Sequence, residues 1–233
     1  MMTVPYDAVR LELLQAAKVH VPFDGWSEST FRDAIRDSGV DATVARAIFP
    51  RGAVDMAVEF HKEGDAIMRD RIAETDMDDM KYRDKVAMAV WLRLDAVADD
   101  KEAVRRGATL FSLPFYAADG ARLIWGTCDA IWTALGDTSD DINWYSKRAT
   151  LSGVYGSTVL YWLGDNSPDY MATRDFLDRR IEDVMQIEKF KAKARQSSAM
   201  SRLMAGPNLF FSRIKAPRKA RENDLPGRWE HTG

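Results

Sequence analysis

The sequence predicts an all-α fold, with a small three-helix, helix-turn-helix-like unit followed by a six-helix ligand-binding bundle. Apolar residues recur at intervals of three and four along most of the chain. Ser or Asp start signals and Gly or Pro stop signals divide that pattern into segments of helical length. The alternating patterns of half-buried strands are nearly absent.

Asp7 can cap a first helix to about His20, with Val9, Leu13, Ala16 and Ala17 at helical spacing, and Pro22 and Gly25 are expected to break it. Ser27 caps a second helix around Phe31, Ala34 and Ile35, and Gly39 ends it. Asp41 caps a short third helix through Ile48, stopped by Pro50. A long fourth helix runs from Ala53 to Glu74, and a fifth from Lys81 to Ala98. Asp100 is a cap candidate for a sixth helix, Lys101 to Leu113. Pro114 is expected to open a seventh, through Leu135. Residues 136–142 read as a polar turn before an eighth helix, Asn143 to Leu163. Ser167 followed by Pro168 is a strong start signal for a ninth, to about Phe190. The expected organisation is a helix-turn-helix-like N-terminal unit at residues 1–52, a larger helical domain at 53–190, and a basic amphipathic tail at 191–233.

Composition narrows the class. Of 233 residues, 46% are apolar and 30% charged, enough to bury a sizeable core. The single cysteine, Cys128, excludes an intrachain disulfide and suggests a reducing compartment. No basic region followed by an apolar run marks a secretory signal at the N-terminus. The longest uncharged run, Ala149 to Gly164, is too short and too polar for a membrane span. Charge is uneven. Residues 191–233 hold ten Lys or Arg against three acids, a net +7, so the remainder of this −3 chain carries −10. An acidic body with a basic tail suits a tail that meets an anionic surface.

The two-part layout is that of TetR-type repressors, with Gly39 to Val54 similar to a recognition helix and the start of a linking helix. A DNA-binding role is weakened by charge. Residues 1–56 carry six bases against eight acids, whereas non-specific DNA affinity comes from neutralising phosphates. The recognition segment Asp41 to Ile48 holds one arginine. Catalytic signatures are also missing. The three histidines, His20, His61 and His231, form no Glu-x-x-His pair or His-Glu-x-x-His motif. No nucleophile elbow or glycine-rich phosphate loop is present. A non-enzyme without cofactor or metal is the expectation.

The most specific stretch lies between residues 136 and 190. It contains Ile142-Asn-Trp-Tyr-Ser-Lys-Arg-Ala149, Leu151-Ser-Gly-Val-Tyr155, Ser167-Pro-Asp169 and Phe176-Leu-Asp-Arg-Arg-Ile-Glu-Asp-Val-Met185. With His20-Val-Pro-Phe-Asp-Gly-Trp26 and Asp129-Ala-Ile-Trp132, it resembles the Coq nine family of ubiquinone biosynthesis accessory proteins, which share a TetR-repressor-like fold. The resemblance implies a non-catalytic protein that binds isoprenoid quinone precursors or phospholipid. It implies assistance to a membrane-associated hydroxylase through a patch of Asp129, Ile131, Asp141, Trp144, Tyr145 and Arg148. It also implies a membrane-binding C-terminal helix and peripheral attachment to the inner face of a membrane from the cytoplasm.

Residue chemistry fits these expectations. Trp144 stands in the first turn of its helix between Asp141 and Arg148, and Trp, Tyr and Arg are the commonest interface anchors. Met68, Met88, Leu92, Leu110, Phe111, Phe115, Leu123 and Trp125 are the expected walls of a lipid cavity, because such sites are mostly apolar and Met adapts to irregular ligands. In the tail, Met200, Leu203, Met204, Phe210, Phe211 and Ile214 are rimmed by bases, the pattern of an interfacial segment that Pro207 divides. Small residues Ala149, Ser152, Gly153, Gly156 and Ser157 let a neighbouring helix approach closely, and a homodimer through the last two helices is expected. A ligand-responsive TetR-type repressor is the alternative, and a lipid-metabolising enzyme a third reading.

Overall fold

The computed structural model describes residues 6–196 and 215–216. Among them, helices follow one another through short turns: α1 (Tyr6–Asp24), α2 (Glu28–Ser38), α3 (Ala42–Ile48), α4 (Ala53–Glu74), α5 (Tyr82–Asp95), α6 (Lys101–Ser112), α7 (Ala117–Ala134), α8 (Ile142–Gly164) and α9 (Met171–Gln196). Two 3-10 turns, Ala98–Asp100 and Pro168–Tyr170, lead into α6 and α9. No strand occurs among the described residues.

Local chemistry sets several boundaries as expected. Ser27 accepts a hydrogen bond from the Thr30 N–H, and Gly39 closes α2 at φ 68°. Asp41 accepts from the N–H groups of Thr43 and Val44 at the start of α3. Asp141 does the same for Asn143 at the start of α8.

Four expectations change. Pro22 does not break α1, which continues to Asp24. Val21 is fully buried there, and the Pro22 carbonyl accepts from Arg106 Nη2 at 2.7 Å, so packing outweighs the hydrogen bond that proline cannot donate. Asp100 caps nothing; its carboxylate pairs with Lys18 Nζ at 2.5 Å, and α5 stops at Asp95 so that Ala98 joins the 3-10 turn. Pro114 lies in a turn, closed by the Tyr116 N–H on the Leu113 carbonyl at 2.9 Å, and α7 starts at Ala117. Pro168 opens only a 3-10 turn, because Asp169 takes φ 50° and interrupts the helix. Ser167 Oγ then accepts from the Ala172 N–H at 3.0 Å, inside α9.

One core runs through both halves of the chain, from Leu13 and Val21 in α1 to Leu177 and Ile181 in α9. Trp26 fastens the first three helices to the bundle. Its indole Nε1–H donates to the Ala103 carbonyl at 3.0 Å, and its ring lies 5.5 Å from that of Phe60. Within the bundle, α4 packs on α5 and α7, while α7 also contacts α6 and α8. Between α4 and α5 sits an ion pair: Arg93 Nε donates to Asp65 Oδ1 at 2.6 Å, with both side chains buried. Gly64 leaves room for that guanidinium, since a Cβ there would lie 2.7 Å from Arg93 Cζ.

Gly64→Ala is therefore expected to destabilise the fold by about 1–3 kcal/mol, the usual cost of overpacking. Gly126→Ala, on the same bundle with no heavy atom within 4 Å of the new Cβ, is expected to be neutral or stabilising. Urea unfolding of the two variants checks the contrast.

Candidate functional site

An apolar cavity of about 410 Å³ lies between α4, α5, α6, α7 and α8. Its walls come from facing helical stripes: Phe60 on α4, Leu94 on α5, Val104 and Phe111 on α6, Leu123 and Ile124 on α7, and Val159 on α8. Small residues make the space. Gly107, Ala108, Gly120, Ala121 and Gly156 stand where larger side chains would fill it. Gly120 also brings α6 and α7 together, because a Cβ there would meet Phe111 Cβ at 2.8 Å. The exposed lining residues Ser112, Ala117, Ala121 and Leu160 mark the opening to solvent.

The wall is not uniformly apolar. His61, Arg93 and Tyr155 also line the cavity, and they belong to a buried network. His61 Nε2 lies 2.8 Å from Thr127 Oγ1, Thr127 donates to Asp65 Oδ1 at 2.9 Å, and Arg93 Nη2 donates to the His61 carbonyl at 3.0 Å. Burial, reinforced by the Arg93 charge, pushes the His61 pKa down to about 4, so its imidazole is neutral at physiological pH. Burial likewise pushes the Tyr155 phenol up to about 12, keeping it protonated. Trp162, another lining residue, has a buried indole N–H with no hydrogen-bond partner among the described residues. The arrangement offers an apolar ligand a greasy channel and offers its polar end a few neutral and cationic donors.

A second feature lies at the start of α8. Arg148 is 2% exposed and acts as a clamp. Its Nε donates to Asp129 Oδ1 at 2.6 Å, and its Nη1 donates to Asp137 Oδ2 and to the Trp144 carbonyl, both at 3.1 Å. Its guanidinium also lies over the Trp144 ring at 4.0 Å. Burial opposes the charge on Asp137, but hydrogen bonds from Lys147, Ser139 and Arg148 outweigh it and bring the carboxyl to about 2. Trp144, Tyr145 and Trp125 form one aromatic group, with ring centroids 4.8 to 6.5 Å apart. Residues of the chain's own C-terminal part touch this surface: the Ala216 N–H donates to the Asp140 carbonyl at 2.8 Å, and Tyr145 Oη donates to the Lys215 carbonyl at 3.3 Å.

The expected site residues divide. Phe111 and Leu123 line the cavity. Met68 is fully buried in the core; Met88, Leu92 and Leu110 pack against the core without reaching the cavity. Trp125 joins the aromatic patch, and Phe115 is 92% exposed in the turn before α7. In the patch, Asp129, Asp141, Trp144 and Tyr145 are at least partly exposed, whereas Ile131 is fully buried and Arg148 is buried beneath Trp144. Those two shape the surface from below and do not form it. Met200, Leu203, Met204, Phe210, Phe211 and Ile214 lie outside the described residues. Helical spacing missed His61, Arg93, Tyr155 and the small residues as cavity walls. The available signal was small residues at equivalent heights of α6, α7 and α8, which leave space where an ordinary core is filled.

Two consequences are measurable. An unfolded histidine titrates near its ordinary 6.5, but folded His61 only near 4. As pH falls, the unfolded chain takes up the proton first. Stability is therefore full above pH 6.5 and falls by up to about 3 kcal/mol towards pH 4. His61→Gln is expected to flatten this part of the denaturation profile. Arg148→Ala leaves the Asp137 carboxylate buried with Lys147 and Ser139 but without its buried cation, and a loss of about 3 kcal/mol is expected by urea unfolding.

Comparison with known proteins adds what the chain is similar to. Residues 117–188, which span α7, α8 and much of α9, match the COQ9 family model. The mitochondrial ubiquinone biosynthesis protein COQ9 of Drosophila melanogaster is 28% identical over 186 residues, covering 78% of this chain and 57% of that protein. The human COQ9 is 27% identical over 186 residues, 75% of this chain and 57% of that protein. The chain thus spans 57% of the length of these relatives. A TetR transcriptional regulator from Nitrosomonas europaea ATCC 19718 superposes with a TM-score of 0.62 at 18% identity, over 76% of this chain and 97% of that one, and shows the fold alone. The resemblance read from the Trp144 and Ser167 segments is borne out: the chain is similar to the COQ9 proteins of ubiquinone biosynthesis, carried on the fold of TetR-type regulators.

Proposed function

We propose that this chain is a non-catalytic, lipid-binding accessory protein of ubiquinone biosynthesis. Its cavity takes an isoprenoid quinone precursor, and its Trp144–Tyr145 patch docks a membrane-associated hydroxylase that modifies the bound head group. The observation that carries this reading is the cavity, apolar along most of its wall and furnished with His61, Arg93, Tyr155 and Trp162 as polar groups. An apolar cavity with few, convergent polar groups suits an amphiphile whose polar oxygens must be held in one orientation. The names of the COQ9 relatives, ubiquinone biosynthesis proteins, support a ligand drawn from that synthesis.

The other parts of the proposal follow the same reading. The patch is organised by a buried arginine, so its aromatic rings are presented in fixed positions, which lowers the ordering cost of docking. No described helix is long and apolar enough to cross a membrane, and peripheral attachment at the inner face by the basic tail is proposed. A homodimer through α8 and α9 is proposed from exposed Gly153 on α8, around which a new Cβ would meet nothing within 4 Å, and from exposed Met171 at the start of α9.

The repressor reading draws on the structural likeness to a transcriptional regulator. Against it stands the state of α3, where Arg46 Nη2 is paired with Glu28 at 2.5 Å and its guanidinium lies over Phe31. Salt-sensitive, sequence-specific duplex binding in a mobility-shift screen would favour it.

Mass spectrometry of lipids extracted from the purified full chain tests the leading reading. Isoprenoid quinones or their precursors are expected. Gly156→Leu should abolish their recovery while the chain stays folded, because its Cβ points at open space 4.0 Å from Ile124 Cδ1. A chain that carries no lipid, or a gene deletion with normal ubiquinone, would sink the proposal.

A further inference from the structure

We propose that the turn between α6 and α7, Leu113 to Tyr116, is a membrane-contact tip that seats the cavity mouth on a lipid surface. The inference rests on reading the cavity as a lipid site. Phe115, at 92%, is the most exposed large apolar side chain among the described residues, and Leu113 beside it is 47% exposed. Large apolar groups left in water on a soluble surface mark a contact site. The turn is also held in shape. The Tyr116 N–H donates to the Leu113 carbonyl, Ser112 Oγ donates to the Thr109 carbonyl, and Gly120 packs α7 tightly on Phe111.

Position identifies the occupant. Ser112 and Ala117, the residues that flank the tip, both line the exposed edge of the cavity. Whatever covers the tip therefore also covers the mouth. A protein surface or a second copy there would seal the cavity, whereas a bilayer would let an apolar molecule enter without crossing water. Charge agrees. From Ala103 to Ala118 the chain contains no acid, although residues 1–190 are strongly acidic overall; the two bases of that stretch, Arg105 and Arg106, are held by Glu102 and by the Leu163 and Pro22 carbonyls. The first acid beyond the tip, Asp119, is engaged by Arg51 at 2.8 Å and Arg122 at 3.1 Å. An uncharged tip with an exposed aromatic ring is suited to the boundary between head groups and acyl chains.

The test uses the full chain and an environment-sensitive nitrobenzoxadiazole label. Cys128 is fully buried, so Phe115→Cys supplies the reactive thiol, with Asp79→Cys, in the exposed α4–α5 turn, as the control site. On adding vesicles of phosphatidylethanolamine and phosphatidylglycerol, the label at 115 is expected to brighten and shift to the blue, and the label at 79 to stay unchanged. The double variant Leu113→Ser, Phe115→Ser should lower the fraction that floats with those vesicles by about tenfold, as expected for two apolar side chains leaving an interface. Flotation with the label at 115 still in water would mean that the tail alone binds, and would overturn the proposal, as would absence of flotation. Recovery of quinone lipid from a chain whose tip ignores vesicles leaves the cavity reading standing and removes the tip. A responding tip on a chain that carries no lipid does the reverse.

Discussion

The buried pair of Asp65 and Arg93 is the contact on which the bundle's interior is organised. It joins α4 to α5, reaches α7 through Thr127, and leaves the Arg93 side chain on the wall of the cavity. A charge pair taken out of water holds its place only when its remaining donors and acceptors are satisfied. Here Thr127 and the His61 carbonyl take that role, and Gly64 supplies the space. Burial, aided by the Arg93 charge and opposed by that of Asp65, is also what keeps His61 neutral. The same atoms thus set helix packing, the ionisation of a cavity residue and the polarity available to a ligand.

A cavity is a deficit of packing, since its lining atoms lose the contacts that a close-packed core provides. This fold carries one where three helices present glycine or alanine to one another, at Gly107 and Ala108, Gly120 and Ala121, and Gly156. Stability is recovered around it. Trp26 ties the first helices to α6, Asp165 receives Thr173 and Ser167 at the joint of α8 and α9, and Arg148 closes the turn before α8. Hydrogen bonds from Thr173 and Ser167 bring the Asp165 carboxyl to about 2. The Arg148 clamp also makes the neighbouring aromatic surface rigid, so one network serves both fold and proposed docking.

Legibility in the sequence differed by level. Ser27, Asp41 and Asp141 act within a few residues of themselves, and their capping roles were readable because a cap is a local hydrogen bond. Pro22 was misleading because burial of Val21 and the bond from Arg106, 84 residues away, override a local rule. For the site, Trp144 and Tyr145 were recognisable from their motif and from their place at a helix start. The cavity was not. Met68 and Phe111 belong to equally apolar stripes, yet one is core and the other faces the void. Helical periodicity says which side of a helix is apolar and is silent on whether the opposite side is filled.

The sequence by itself determined the all-helical class, most element boundaries, the charge division between body and tail, and the likeness to the COQ9 proteins, since these follow from spacing, capping chemistry and motif. Only the tertiary structure decided that Phe115 faces water at the cavity mouth, that Ile131 and Arg148 lie beneath the patch, and that His61, Arg93 and Tyr155 converge on one cavity. The reason is the same in each case. Exposure, ionisation and empty space depend on which helices come together, and that is set by contacts between residues far apart in the chain.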